Sequence, residues 1–236
     1  MIVRKLLFLI AVVAGLVSCK DELTLPAEVD FKFGMVPFTN DDAVAKSVGK
    51  SPSVGYAINH GEFVVEAIEF DGRRDQGKDV YFISNLSQKI VAELDKETTN
   101  IAVKFDVPQG SYNRIDIILH LGSNSDAPLV LVGNLNQGQA ASVPIRFEYG
   151  FADEISIRAK AKSGTSIVIS RDRTTTAKVV VDTEFLFRFI NPRVIALADL
   201  VDVDGIQTLL INQQRNVSIF NQVANRFHSS ISVIFE

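Results

Sequence analysis

The chain has one cysteine, no tryptophan, four tyrosines and three histidines in 236 residues. A single thiol excludes an internal disulfide and any thiolate cluster around a metal. Without tryptophan and with little tyrosine, the usual stacking surface for sugars is missing, and the 16 phenylalanines read as core filling. Positive charge is not in excess either: 28 acidic residues stand against 24 basic ones, two of which, Arg4 and Lys5, belong to the leader discussed below. A mildly acidic surface speaks against nucleic acid as a partner, because phosphate recognition relies on basic patches.

Motifs for catalysis and metal binding are lacking as well. His60, His120 and His228 are far apart, and none sits in an H-x-x-x-H or H-E-x-x-H spacing that would aim two rings at one ion. No G-x-S-x-G elbow exists, and Gly122–Asp126 reads as a hairpin loop. Asp199, Asp202, Asp204 and Gly205 fall partly on the calcium-loop pattern, but position one is Leu200 and position twelve Ile211, so a solvated helix end and turn is expected. Glu66 and Glu69 lie in an apolar strand and are expected to be salt-bridged or at an edge. No catalytic residue, metal or cofactor follows from these patterns. Paired carboxylates for glycan hydrolysis need only meet in space, so they have no sequence signature.

What is present begins at the N-terminus. Arg4 and Lys5 precede an apolar run from Leu6 to Val17, the layout of a signal peptide. At about 1.5 Å per residue the run reaches ~18 Å, short of the ~30 Å that a spanning helix crosses. Leu16-Val17-Ser18-Cys19 resembles a bacterial lipobox; an ordinary signal peptide with a cysteine near its cut is the alternative. Lys20-Asp21-Glu22 is similar to the lysine-plus-acidic signal that sends lipoproteins of Bacteroidota-type bacteria to the cell surface; a solvated charged tether would look much the same. The resemblance implies removal of residues 1–18, lipidation of Cys19 with thioether lipid and an acylated (palmitate-type) amine, and an outer-membrane address facing the exterior. Three chains would anchor stably, since even two do. The membrane, through this covalent anchor, is the first partner implied.

The mature part reads as mainly β. Residues 19–29 form a lipidated tether, and Phe31, Phe33 and Met35 begin period-two alternation. Residues from Thr39 to Ser53 read as a loop with a helical turn around Asp42–Val48. Phe63–Phe70 is apolar on both faces and is expected to be a central, doubly covered strand. Further strands are expected at Val80–Ile83, Ile90–Leu94, Ile101–Val107, Arg114–Leu121, Val143–Tyr149, Glu154–Ala161, Ile167–Ile169 and Ala177–Val181. Short one-sided strands separated by Gly, Asn, Asp and Pro turns point to an antiparallel β-sandwich, immunoglobulin-like or transthyretin-like, over residues 30–183. The Asp106-Val107-Pro108-Gln109-Gly110-Ser111-Tyr112 turn resembles that of β-sandwich lipoproteins, including transthyretin-like fimbrial subunits; this implies a fold and no functional residue.

From residue 184 to 236 the period changes. Asn191-Pro192 resembles a helix start, Val194, Leu197, Ala198 and Val201 fall on one helical face, and Val217, Phe220, Val223, Ala224 and Phe227 give a second stripe. With Ile231, Val233 and Phe235 alternating at the end, a small α/β C-terminal cap is expected. Function is then expected to be non-catalytic binding or support through loops, with Arg73, Arg74, Arg171 and Arg173 as candidate contacts to a macromolecule or an outer-membrane protein; a surface glycan hydrolase or glycan-binding protein is the alternative.

Overall fold

Alternating burial along one strand shows how the molecule is built. In β1 (Pro26–Val36) Ala27, Val29, Phe31, Phe33 and Met35 are buried while their neighbours face outward. The computed structural model describes residues 24–40, 54–94, 103–122, 127–137 and 142–236. Cys19, Lys20, Asp21 and Glu22 lie outside the described residues, as do residues 41–53 of the expected loop, Ile101 and Ala102, and positions 123–126. The first strand starts earlier than expected: β1 begins at Pro26, not Asp30, because Pro26 to Phe31 already pair with β5 (Val103–Pro108).

The protein is mainly β, in two sheets. One runs β10 (Lys160–Ala161), β15 (Ile231–Phe235), β12 (Thr175–Asp182), β1, β5. The larger runs β11 (Ile167–Ile169), β6 (Gly110–Leu121), β3 (Val54–Arg74), β7 (Leu129–Gln137), β8 (Val143–Tyr149), β14 (Ile206–Ile211), β13 (Val201–Val203), with β2 (Phe38–Asn40) and β4 (Val80–Leu94) paired to β3 and β9 (Asp153–Arg158) to β6. Pairing is mostly antiparallel, as expected. Three pairs are parallel: β1 with β12, β10 with β15, and β14 with β8. Each joins strands remote in sequence, where no hairpin imposes the antiparallel sense.

β3 departs most from expectation. It is one-sided, not doubly covered: a register shift between Val65 and Ala67 moves the inward phase from Phe63 and Val65 to Ile68 and Phe70. A bulge inserts one residue and so flips the face of everything beyond it. Two one-sided stretches joined out of phase thus look apolar on both faces in sequence. Glu66 and Glu69 point outward, Glu66 to Lys89 at 3.2 Å and Glu69 to His120 at 2.7 Å.

The C-terminal segment also differs in detail. Short helices α1 (Thr183–Phe187) and α2 (Pro192–Ala196) are followed by the β13–β14 hairpin, α3 (Val217–Ala224) and α4 (Phe227–Ser230). Asn191 caps α2 by accepting from the Arg193 amide, with Pro192 at the first position. The helix ends at Ala196, however, so the expected stripe is broken: Leu197 is 86% exposed and Val201 is already in β13. The Asp204–Gly205 turn of that hairpin has both residues at positive φ, 53° and 83°, and Asp202 accepts from the Gly205 amide. That accounts for the acidic cluster without a cation. The segment gives strands to both sheets, β14 beside β8 with β13 at its outer edge, and β15 between β10 and β12. One cluster of buried apolar side chains, from Ala27 to Phe235, joins both sheets and the helices.

Candidate functional site

The bulge in β3 also stands beside a concavity. On one edge β3 pairs with β7 as far as Phe63–Leu129, and with β6 from Ala67–His120 onward. Between them the Val64 amide reaches Pro128 and the sheet forks. A cleft of about 550 Å³ lies in this fork, over Val64, Val91 and Val130. That volume is within the usual ~300–1,000 Å³ of ligand sites.

Its polar groups come from neighbouring strands and one turn. Glu62 on β3 pairs with Val130 on β7, and Val130 with Glu148 on β8, which sets Glu62 and Glu148 two strands apart on the same face. At ~4.8 Å per strand their backbones stand about 10 Å apart. Glu148 is held on both oxygens: the Arg146 guanidinium donates to Oε1 at 2.6 Å and the Asn212 amide to Oε2 at 3.1 Å. Asn212 is fixed in turn, its Oδ1 accepting from the Gln214 and Arg215 amides. Gly150 gives Gln213 its room, since a Cβ there would stand 2.6 Å from the Gln213 amide nitrogen. Gly122 does the same for Glu66, which pairs with Lys89 at the rim. The arrangement presents carboxylates, a guanidinium, an ammonium and side-chain amides over a short aliphatic floor.

Beside the cleft, the outer face of β4, β3, β6 and β9 carries a second polar array. Tyr81 donates to Glu69 at 2.9 Å, Glu69 meets His120 at 2.7 Å, and His120 meets Glu154 at 3.4 Å. Asp116 lies between Arg114 and Arg158. Burial pushes its carboxyl up, but hydrogen bonds from the two arginines outweigh this and hold it below the usual range. Hydrogen bonding to Glu69 raises the Tyr81 phenol. Near α4, Asp153 accepts from Tyr149 and His228 at 2.6 Å each; burial opposes its ionisation, those bonds favour it, and its pKa is lowered.

The four arginines expected in binding fare differently. Arg73 is exposed at the end of β3, and Arg171 and Arg173 are exposed after β11, where Arg173 donates to the Val168 carbonyl. Arg74 is a correction: it is only 8% exposed, and its guanidinium donates to Lys78 and Gln109 carbonyls. Beside it Tyr112 donates to Pro108, and burial pushes the phenol up to about 12. Arg74 therefore locks two turns together and is not a loop-tip contact. None of the four lines the cleft. Its residues were visible in sequence as outward-facing charges on β8 and as the amide run 212–214, yet nothing local says that these meet.

Tyr56, Tyr112 and Tyr149 are buried and only Tyr81 is exposed, so no tyrosine row faces solvent. Among the described residues no group of three or more His, Cys, Asp and Glu side chains is placed to hold a metal ion. The chain matches no protein-family model, no curated protein and no solved structure.

Proposed function

We propose that this chain is a Bacteroidota-type lipoprotein, lipid-anchored through Cys19 to the outer membrane and facing outward, that binds a polar ligand without transforming it. In this reading the two sheets form a β-sandwich, immunoglobulin-like or transthyretin-like, closed by the α/β segment that follows residue 183. The lipobox Leu16–Cys19 and the Lys20-Asp21-Glu22 signal support the address. The fork supports the binding role, above all the Glu148 carboxylate with both oxygens engaged by Arg146 and Asn212. Such a carboxylate is a fixed acceptor in a preorganised surface, and preorganisation lowers the ordering cost of binding.

A direct test is calorimetry of the soluble form from residue 20 against panels of charged and neutral oligosaccharides and short polar peptides. A ligand bound by the native protein and lost in Arg146→Ala and Asn212→Ala supports the reading; binding unaffected by both changes overturns it. The anchor is tested separately: Cys19→Ala should leave the membrane fraction or remain unprocessed, and replacing Lys20, Asp21 and Glu22 by alanine should reduce protease access on intact cells.

One observation favours hydrolysis as a second reading, namely that Glu62 and Glu148 share the cleft. Strand positions about 10 Å apart suit the wider spacing of inverting glycosidases, ~6.5–9.5 Å, better than the narrower retaining one. Release of reducing ends that stops in Glu62→Gln would establish it.

A further inference from the structure

Half of the exposed large apolar side chains among the described residues fall in one stretch: Phe189, Val194, Leu197, Leu200, Ile206 and Val217, of twelve in all. Phe189, 60% exposed, carries the Arg188 guanidinium at 4.7 Å and that of Arg226 at 5.0 Å from its ring centre. Arg188 also lies over Phe185, and Arg226 donates to the Leu186 carbonyl. Arg188, Arg193 and Arg226 form no ion pair among the described residues, whereas Arg114, Arg146 and Arg158 each hold a carboxylate. The only acids in the stretch 183–200 are Glu184 and Asp199 near its two ends. No lysine follows Lys178 in the sequence.

Apolar side chains, aromatic rings and arginine, with lysine absent, are the composition of a protein-binding surface. Phe189, Val194 and Leu197 fall within nine successive positions, and a concentration of exposed apolar area on a folded protein marks a site of association. Its position bears on which kind. Thr183 donates to the Val36 carbonyl, which ties α1 to the far end of β1. The eleven residues of β1 span about 36 Å at ~3.3 Å each, so the start of α1 stands about that far from the Pro26 end of the strand. With the proposed anchor at the Pro26 end, this favours a protein over a lipid surface as the occupant.

We infer that the surface formed by Phe189, Val194 and Leu197 with Arg188 and Arg226 docks a protein partner that presents carboxylates among aliphatic side chains. The arginines meet the carboxylates and the apolar residues of α2 and its C-terminal end meet the aliphatic groups. Phe189, whose ring two guanidinium groups approach, is the anchor, since an aromatic side chain with contacts already made loses less freedom on binding. The orientation argument rests on the proposed anchor; the composition argument does not. The site is separate from the cleft, so either can fail alone.

The experiment uses the full, lipidated protein in the cells that make it, with the photo-crosslinker p-benzoylphenylalanine at position 189 or 197 and, as control, at Tyr81. The expected result is crosslinking from 189 and 197, well above the Tyr81 control, to one protein at a peptide rich in Asp or Glu and aliphatic residues. Arg188→Glu combined with Arg226→Glu should lower the yield from position 197 at least tenfold, and Leu197→Asp should do the same from 189. Unchanged thermal unfolding of these variants separates lost docking from lost folding. Crosslinks to lipid or to a second copy of this chain overturn the inference, as does a yield no higher than the control or one indifferent to charge reversal. Membrane fractionation in parallel reads the anchor independently.

Discussion

Two surfaces of this molecule follow opposite rules. On the outer face of β4, β3, β6 and β9 the ionisable groups hold one another: Tyr81, Glu69, His120 and Glu154 in one row, and Arg114, Asp116 and Arg158 in another. On the stretch from Arg188 to Leu200 the Arg188 guanidinium lies over two rings, and Phe189, Val194, Leu197 and Leu200 face solvent. Both lie over the same buried cluster. A stable core therefore does not determine how its surface is finished. The paired face satisfies itself, whereas among the described residues Arg188 and Arg193 of the C-terminal stretch hold no carboxylate and those four apolar side chains remain exposed.

The sharpest way to break the contrast is to remove what supports the C-terminal surface. Phe187 is fully buried against Phe38, Tyr56 and Phe147, and its carbonyl accepts from the Tyr56 hydroxyl. Phe187→Ala should cost about 3–5 kcal/mol, read as a lower urea midpoint. On the paired face, Asp116→Asn should cost about 1–3 kcal/mol, because two charged hydrogen bonds lose their acceptor charge in a largely buried setting. A stability loss within 0.3 kcal/mol there would show that the rows are decoration.

A smaller effect is expected from acid. Asp116, Asp153 and Glu236 all have lowered pKa values, Glu236 about 2 through its bonds to Lys162 and Lys178. A carboxylate depressed on folding stabilises above its unfolded pKa, and that contribution is lost as pH falls through the folded one. For Glu236 the window runs from about pH 4.5 down to about 2. Glu236→Gln should thus be less stable than the native chain at pH 7 and equal to it near pH 2. Parallel stability curves across that range would remove Glu236 from the account. Smallest of all, Tyr81→Phe and Leu197→Ser should each shift stability by no more than about 0.5 kcal/mol, since both side chains are largely exposed. Leu197→Ser is the sharper of the two, because a clear loss would mean the C-terminal surface packs on its own molecule.

Much of the framework was legible. The alternations of β1, β12 and β15, the Asn191-Pro192 helix start and the tyrosine packed over the Pro108–Gly110 turn all follow from local chemistry. Three features were not. β3 looked doubly apolar because a bulge splices two opposite phases. The stripe Val194, Leu197, Ala198 and Val201 looked like the buried face of a helix. Ile195, however, is the residue of α2 that reaches the core, and Asn216 pins the chain at Asp199 immediately beyond. Arg74 looked like any charge beside a turn, although carbonyls of two separate turns enclose it.

The sequence by itself determined the strand-forming alternation and the turn chemistry, because each depends on neighbours a few positions apart. Only the tertiary structure decided the fork, the row from Glu62 to Glu148 and the solvent-facing side of α2. Each of these depends on which remote strand takes which edge of β3, and that choice is made by packing the whole core at once, a quantity no local window of residues contains.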